Sequence, residues 1–335
     1  MITEHNVRLT SAEIFYLWAS YMNDTMAICI MKYFLEKVED AEILPVIQYA
    51  LTISENQVVK VKELFESEQA KVPHGFTDED VNLKSRRLFS DSFSLHYLKH
   101  MARAGLKANG LDLALAARKD VQDFYNQALQ ATIELNNMTT SVLLSKGLYI
   151  RAPYIPVPEQ IDFVKKQSFL ANLFRENDRP LIAIEIASLY GNIQTNGFGK
   201  SLPIGFSQVA SSPKIRRYMV RGVEIATKEI EVMHDYLLKS FLPTPMTWDG
   251  DIMNSTEAPF SDKLMMFHVS GLNAIGIGDF GDSIGTSLRA DLSATYARFL
   301  AESVKYAEDG ANMMIDNGWL EEPPQAIDRE ELARV

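Results

Sequence analysis

The chain holds a single cysteine, Cys29, among 335 residues. One thiol excludes an intramolecular disulfide and a thiolate metal cage, and fits a reducing compartment or one where nothing depends on oxidation. No stretch approaches the ~18–20 apolar residues that a membrane span needs. The opening Met1-Ile2-Thr3-Glu4-His5 lacks the basic stretch and apolar run of a secretory signal. Positive charge is scarce: 33 Lys and Arg stand against 44 Asp and Glu, a net charge of -11, with no basic stripe. Counterion release from a phosphate backbone needs clustered cations, so a nucleic-acid partner is not expected. Nor is there a legible Ser/His/Asp order, Cys–His pair or phosphate loop. The sequence speaks against an enzyme more than for one. It leaves a protein partner or self-association open.

What is present is a pattern written twice. Glu13-Ile14 with Leu17 returns as Glu185-Ile186 with Leu189, a shift of 185 − 13 = 172. The same shift carries Phe34 onto Phe206 and Pro73 onto Pro245. After one deleted residue, a shift of 171 matches Phe89-Ser90-Asp91 to Phe260-Ser261-Asp262, Arg118 and Asp120 to Arg289 and Asp291, and Gly147 to Gly318. A solenoid repeat has a period of roughly 20–50 residues, so this is a duplicated domain. Apolar residues at 47% and charged residues at 23% allow a core in each copy.

Each copy reads as four helices. Thr10 or Ser11 caps the first, with Glu13 in its opening turn to meet the helix dipole. Pro45 starts the second, where a missing N–H costs nothing. The third begins near Ser90, and Gly105 and Gly110 loosen its end. Asp120 caps the fourth, and Gly147 stops it. Between helices two and three lie long spacers containing Pro73 and Gly75, or Pro243, Pro245 and Gly250. A spacer of that length suits a crossover along the bundle, the ferritin-like connection; up-down-up-down with an oversized loop is the alternative. The expected fold is all-α: two tandem ferritin-like four-helix bundles with a long crossover between helices two and three. The expected domains are 1–150 and 180–335, joined by residues 151–179. That joint is an extended Pro-rich stretch from Arg151 to Pro158, then a short amphipathic helix from Ile161 to Phe174. Tyr154 and Phe163 are expected to dock, and Trp248 and Trp319 to pack one domain on the other.

Several strings carry a resemblance: Leu17-Trp-Ala-Ser-Tyr-Met-Asn-Asp24, Leu143-Leu-Ser-Lys-Gly-Leu148, Phe260-Ser-Asp-Lys-Leu-Met-Met-Phe-His268 and Ala307-Glu-Asp-Gly-Ala-Asn-Met-Met-Ile-Asp-Asn-Gly-Trp319. Over nearly the whole chain it resembles a family of duplicated ferritin-like proteins of unknown function from endospore-forming bacteria, itself similar to coat-F type spore coat proteins. The resemblance implies the helical fold; with the lone cysteine and no signal or span pattern, a cytoplasmic or spore-associated place is expected. It brings no activity and no functional residue.

Metal-binding ferritin-like bundles use inward carboxylates and Glu-x-x-His pairs. Glu231-Val-Met-His234 has that spelling, but its counterparts are Val59 and Lys62, and it falls off the inward stripe of helix two. A better set is Glu229, His268 and Glu302, from three helices of the second copy at matching heights, with Asn192 and Asn196 at the same level. Such a set suits iron, manganese or zinc; the plain alternative is a hydrogen-bonded polar layer. The first copy offers Gln57, Tyr97, Ala131 and Asp24 at those places, with His96 next door and His100 one turn further on. Gly276-Ile-Gly278-Asp-Phe-Gly281 spells the dinucleotide fingerprint, yet a helix precedes it where a strand is required. It reads as a hinge or turn between helices three and four. The functional expectation is a non-catalytic ferritin-like protein, spore-coat-associated or with an assembly role. The alternative is an iron- or manganese-binding, oxidase-like bundle in the second copy. An apolar ligand held in a bundle is a third reading.

Overall fold

The computed structural model describes residues 7–170 and 179–334. Eight long helices dominate: α1 (Ser11–Lys37), α2 (Leu44–Ser67), α3 (Asp91–Leu115), α4 (Lys119–Ser145), α5 (Ala183–Val209), α6 (Pro213–Lys239), α7 (Asp262–Thr286) and α8 (Ala290–Asp316). Among the described residues the β structure is an isolated antiparallel bridge between Phe89 and Ile252. The chain falls into two compact units. The first comprises Met1–Val81, Leu98–Ser141 and Gly318–Val335; the second comprises Asn82–Tyr97 and Val142–Asn317.

In the second unit α5 packs on α6 and α7, and α8 packs on α7 and α6. Asp262 at the start of α7 accepts from the Ser211 and Ser212 N–H groups in the α5–α6 turn, at 3.0 and 3.1 Å. Lys214 at the start of α6 meets Asp316 at the end of α8. At the other end, Tyr236 late in α6 meets Thr295 early in α8 at 3.1 Å. Helices α6 and α7 therefore run parallel, and residues 240–261 cross the length of the bundle. That is the one-crossover ferritin-like connection. Leu189, Met233, Phe280, Tyr296 and Phe299, all buried, fill its centre.

The first unit repeats the connection. Ala117 and Arg118, in the α3–α4 turn, donate backbone N–H groups to Glu13 at the start of α1. Arg118 also pairs with Glu68, just past the end of α2. The ends of α2 and α3 thus lie together, so these helices too are parallel. Leu17, Val61, Phe65, Val121 and Tyr125 form the core.

Local signals explain most boundaries. Thr10 caps α1 in a reciprocal capping box with Glu13. Ser90 and Ser261 cap α3 and α7, accepting from the N–H groups of Phe93 and Leu264 at 2.9 and 3.1 Å. Gly147 and Gly318 end α4 and α8 at φ +67°, where a side chain would be strained. The α2 and α6 ends use Gln69 and Phe241 in the same left-handed region, at φ 55° and 56°. Each costs about 1–2 kcal/mol relative to glycine. No sequence signal marks that choice.

Several expectations are corrected. Gly276, Gly278 and Gly281 do not make a hinge, nor do Gly105 and Gly110 loosen an end; all lie inside continuous helices. Each costs about 1 kcal/mol in a helix; at Gly105 a close neighbour accounts for it, since a Cβ there would stand 3.1 Å from Thr132 Cγ2, whereas Gly110 and Gly281 face open space. Asp120 and Asp291 are first-turn residues, not caps, because Arg118 and Arg289 hold them through paired hydrogen bonds. Residues 161–166 are not helical, and a single 3₁₀ turn spans Gln167–Leu170; positions 171–174 of the expected helix lie outside the described residues. Tyr154 and Phe163 do not pack but stand 84% and 81% exposed. Trp248 is buried inside the second unit, stacked on Phe198 with centroids 4.0 Å apart.

Candidate functional site

The inward polar positions of the second bundle converge on a small cavity of ≈ 40 Å³, lined by Asn196, Gly199, Pro203, Glu229, Asn273 and Ser303 among others. Glu229 is only 1% exposed, and its Oε1 has no hydrogen-bond partner. Pro203 sits inside α5. Having no N–H, it leaves the Gly199 carbonyl without its helical donor. Burial pushes the Glu229 carboxyl up to about 8, with the Glu302 charge adding and Lys228 opposing. At neutral pH it is an uncharged acid, a hydrogen-bond donor as well as an acceptor. A void of this size, mostly apolar in its lining but with Glu229, Asn196 and Asn273 on its wall, has room for water, which needs on the order of 10–15 Å³.

Around it the helices are joined by polar pairs. Asn192 donates from Nδ2 to Ser283 Oγ at 2.7 Å, and Thr195 Oγ1 to Asp279 Oδ2 at 2.8 Å, tying α5 to α7. Asn273 donates to the Ser303 carbonyl at 2.9 Å, tying α7 to α8. The sequence placed Asn192 and Asn196 at this level but gave no sign of Pro203's effect.

His268 lies on α7, 2% exposed. Its Nε2 is 3.1 Å from the Tyr97 hydroxyl, and Nδ1 has no partner. Burial lowers its pKa to about 3, so the ring is neutral. The surroundings are aromatic: Phe206 lies at 5.9 Å and Tyr97 at 5.5 Å between centroids. Glu302 faces outward on α8 and pairs with Lys228 at 2.7 Å. It borders a groove of ≈ 330 Å³ between α6 and α8, where Arg221 and Asp309 are also paired. Glu229 feels the charge of Glu302, but the two open on different spaces, a buried void and a surface groove, and His268 sits among aromatic rings. Among the described residues, no three His, Cys, Asp or Glu side chains form a metal-holding group. Glu231 is exposed and His234 half-buried. In the second unit His96 is buried against Trp248 at 5.3 Å, its pKa lowered by burial to about 4.

The first bundle carries a related layer. Tyr125 Oη and Ser20 Oγ are 3.4 Å apart. Asp112 is buried, and burial raises its carboxyl to about 7. Gln57 is half-buried.

Two residues that sequence reasoning undervalued organise both bundles. Glu13 and Glu185 are 2% and 0% exposed. Glu13 accepts from Thr10 N, Ala117 N and Arg118 N at 2.8, 2.9 and 2.8 Å. Glu185 accepts from Ile182 N at 3.0 Å, Arg289 N at 3.1 Å and the Arg179 guanidinium at 2.7 Å. Burial alone would raise the Glu13 pKa, but these hydrogen bonds from Thr10, Arg118 and Ala117 outweigh it and hold the carboxyl below its usual value. The strict repetition of Glu13 with Arg118 as Glu185 with Arg289 was the available signal.

The fold and site define a duplicated, all-helical ferritin-like architecture whose apolar cores are crossed by a buried polar layer. The family model described as a protein of unknown function, DUF3231, matches residues 1–161 and again 168–332. The chain belongs to that family and carries its domain twice. Among solved structures it is similar to a candidate spore coat protein from Bacillus halodurans C-125, at 19% identity and a TM-score of 0.41, over 45% of this chain and 98% of that one. It is also similar to a two-domain protein from Anabaena variabilis ATCC 29413 with DJ-1/ThiJ/PfpI-like and ferritin-like domains. There the identity is 13% and the TM-score 0.32, over 58% of this chain and 53% of that one. No curated protein matches the chain.

Proposed function

We propose that this chain is a non-catalytic ferritin-like protein with an assembly role, and that its polar interior positions helices instead of working as a redox metal centre. The observation that carries the reading is the dispersal of Glu229, His268 and Glu302: the first faces a water-sized void, the second bonds Tyr97, and the third pairs with Lys228. Buried charge is tolerated only when paired or metal-bound, and Glu302 has its pair in Lys228. The likeness to coat-F type proteins supports a place in or near the spore coat. Elemental analysis of tag-free protein after dialysis tests the reading. Iron and manganese are expected far below one per chain, and a stoichiometric content would overturn it.

A second reading keeps one observation. The unpartnered Glu229 Oε1 and the Gly199 carbonyl, which Pro203 deprives of its helical N–H donor, line the cavity and are oxygens that an ion would use. If iron or manganese binds there, adding it raises the melting temperature of the parent protein but not of Glu229→Gln. The same metal series on His268→Ala tests whether the imidazole takes part.

A further inference from the structure

The segment joining the two copies stands apart from the rest of the chain. Residues 151–168 are exposed almost without interruption and, up to Lys166, irregular. The hydrogen bonding described within 152–165 is local, Gln160 to Asp162 at 3.5 Å. The segment is pinned at both ends. The Tyr190 hydroxyl donates to the Ile150 carbonyl at one end, and the Gln167–Leu170 turn begins at the other. Three residues here carry the cation a trypsin-like endopeptidase selects: Arg151, Lys165 and Lys166. Arg151 directly follows the pinned Ile150 and lies over the Tyr149 ring at 5.8 Å. The Lys166 carbonyl accepts from Phe169 N in the turn. The Lys165–Lys166 bond is free of both restraints and follows a long open stretch.

Exposed lysines elsewhere in irregular backbone are held more tightly. Lys84 lies between Asn82, whose N–H donates to the Pro259 carbonyl at 2.8 Å, and Arg86, whose N–H donates to Glu257 at 2.9 Å. Lys71 lies between the α2 end and Gly75, whose N–H donates to Glu321 at 3.1 Å. A protease needs a segment it can draw into its cleft, and backbone hydrogen bonding resists that.

We propose that residues 151–168 form a processing strap, and that a Lys/Arg-specific endopeptidase hydrolyses the Lys165–Lys166 bond without dismantling the second unit. Water adds across the amide. Its oxygen joins the Lys165 carbonyl carbon to give a carboxylate, and the departing Lys166 nitrogen takes the protons as a new α-ammonium. The second unit survives because it is built from both products. Asn82–Tyr97 and Val142–Lys165 lie before the cut and the remainder lies after it. Across the cut, Met253 N donates to the Leu88 carbonyl at 2.8 Å, Phe89 meets Phe206 at 6.2 Å between centroids, and Tyr97 bonds His268.

The test is limited digestion of the full chain with trypsin under native conditions, read by intact mass and native size exclusion. The expected result is one early pair of products, 1–165 and 166–335, eluting together as a single species. In denaturant they should separate, and their refolding after dilution should become concentration-dependent. The double variant Lys165→Gln, Lys166→Gln should lose that cut, while a glutamate-specific protease still cleaves it at Glu159, showing the strap remains open. A first cut inside the crossovers or helices would overturn the assignment. Products that part on the native column would overturn the claim that the second unit holds.

Discussion

Tyr97 and His268 occupy the same place in the two copies, 171 residues apart, and their side chains meet at 3.1 Å. One copy's hydroxyl therefore satisfies the other copy's imidazole inside the second unit. Replacing Tyr97 with Phe strands His268 Nε2 without water. We expect a loss of about 1–3 kcal/mol, measured as a lower urea midpoint. Restoring the loss with the pair Tyr97→Phe, His268→Phe would show that the hydrogen bond, not ring volume, is responsible. An unchanged midpoint in the single variant would refute the assignment.

Tyr218 and Tyr306 stack at 4.3 Å between centroids, and each hydroxyl donates to the other's backbone carbonyl, at 3.1 and 3.2 Å. The hydroxyls lie where Gly310 and Gly222 would otherwise carry a Cβ. Both rings are rigid and buried, so neither can swing aside. Gly222→Ala and Gly310→Ala should each cost about 1–3 kcal/mol through overpacking. By contrast, alanine at Gly250, which has open space around it, should shift the thermal midpoint far less.

Asp112 gives the first unit a pH dependence of definite sign. Its carboxyl is raised by burial to about 7 in the folded chain, from an ordinary 3.8. Between these values the folded state binds more protons than the unfolded state, so its contribution to stability falls as pH rises from about 4 to about 7 and then levels. Asp112→Asn should remove that slope and stabilise the protein at pH 8 by on the order of 1–3 kcal/mol. Denaturant titrations of both proteins at pH 5 and pH 8 give the answer; parallel shifts would contradict it.

Glu13 acts in the opposite sense. Its pKa is lowered in the fold, so its contribution is present above the unfolded value and lost as pH falls through the folded one. Glu13→Ala leaves the N–H groups of Ala117 and Arg118 without their acceptor and should cost at least about 2 kcal/mol. Glu13→Gln, which keeps one oxygen, should cost less and flatten the acid limb of the stability curve.

These tests also mark how far the sequence could be read. The doubled lettering, the serine caps at Ser90 and Ser261, the glycine stops at Gly147 and Gly318 and the long crossovers were legible because each is a local or periodic signal. The inward placing of Glu229 followed from helical spacing. Its neighbours did not. Whether Glu302 joins Glu229 or leans out to Lys228 depends on rotation of α8 within the bundle, which spacing leaves free by tens of degrees. The Tyr97 partner of His268 comes from the other copy, a pairing no single-helix pattern contains. Gly276, Gly278 and Gly281 misled because helix propensity is a small term beside tertiary packing. Glu13 is legible as a dipole partner and Glu185 as its repeat, but their deeper role needs the α3–α4 and α7–α8 turns brought to the helix start.

The paired crossovers carry a consequence for how such a chain arose. Met253 donates to Leu88, and Asn82 donates to Pro259, both at 2.8 Å. At a shift of 171, Asn82 falls on Met253 and Leu88 on Pro259, so these are the same bond seen from opposite sides. A single-copy ancestor would have made it twice across a symmetry axis, as a homodimer does. In one chain that carries both sides the contact is internal, so either side can change without the other.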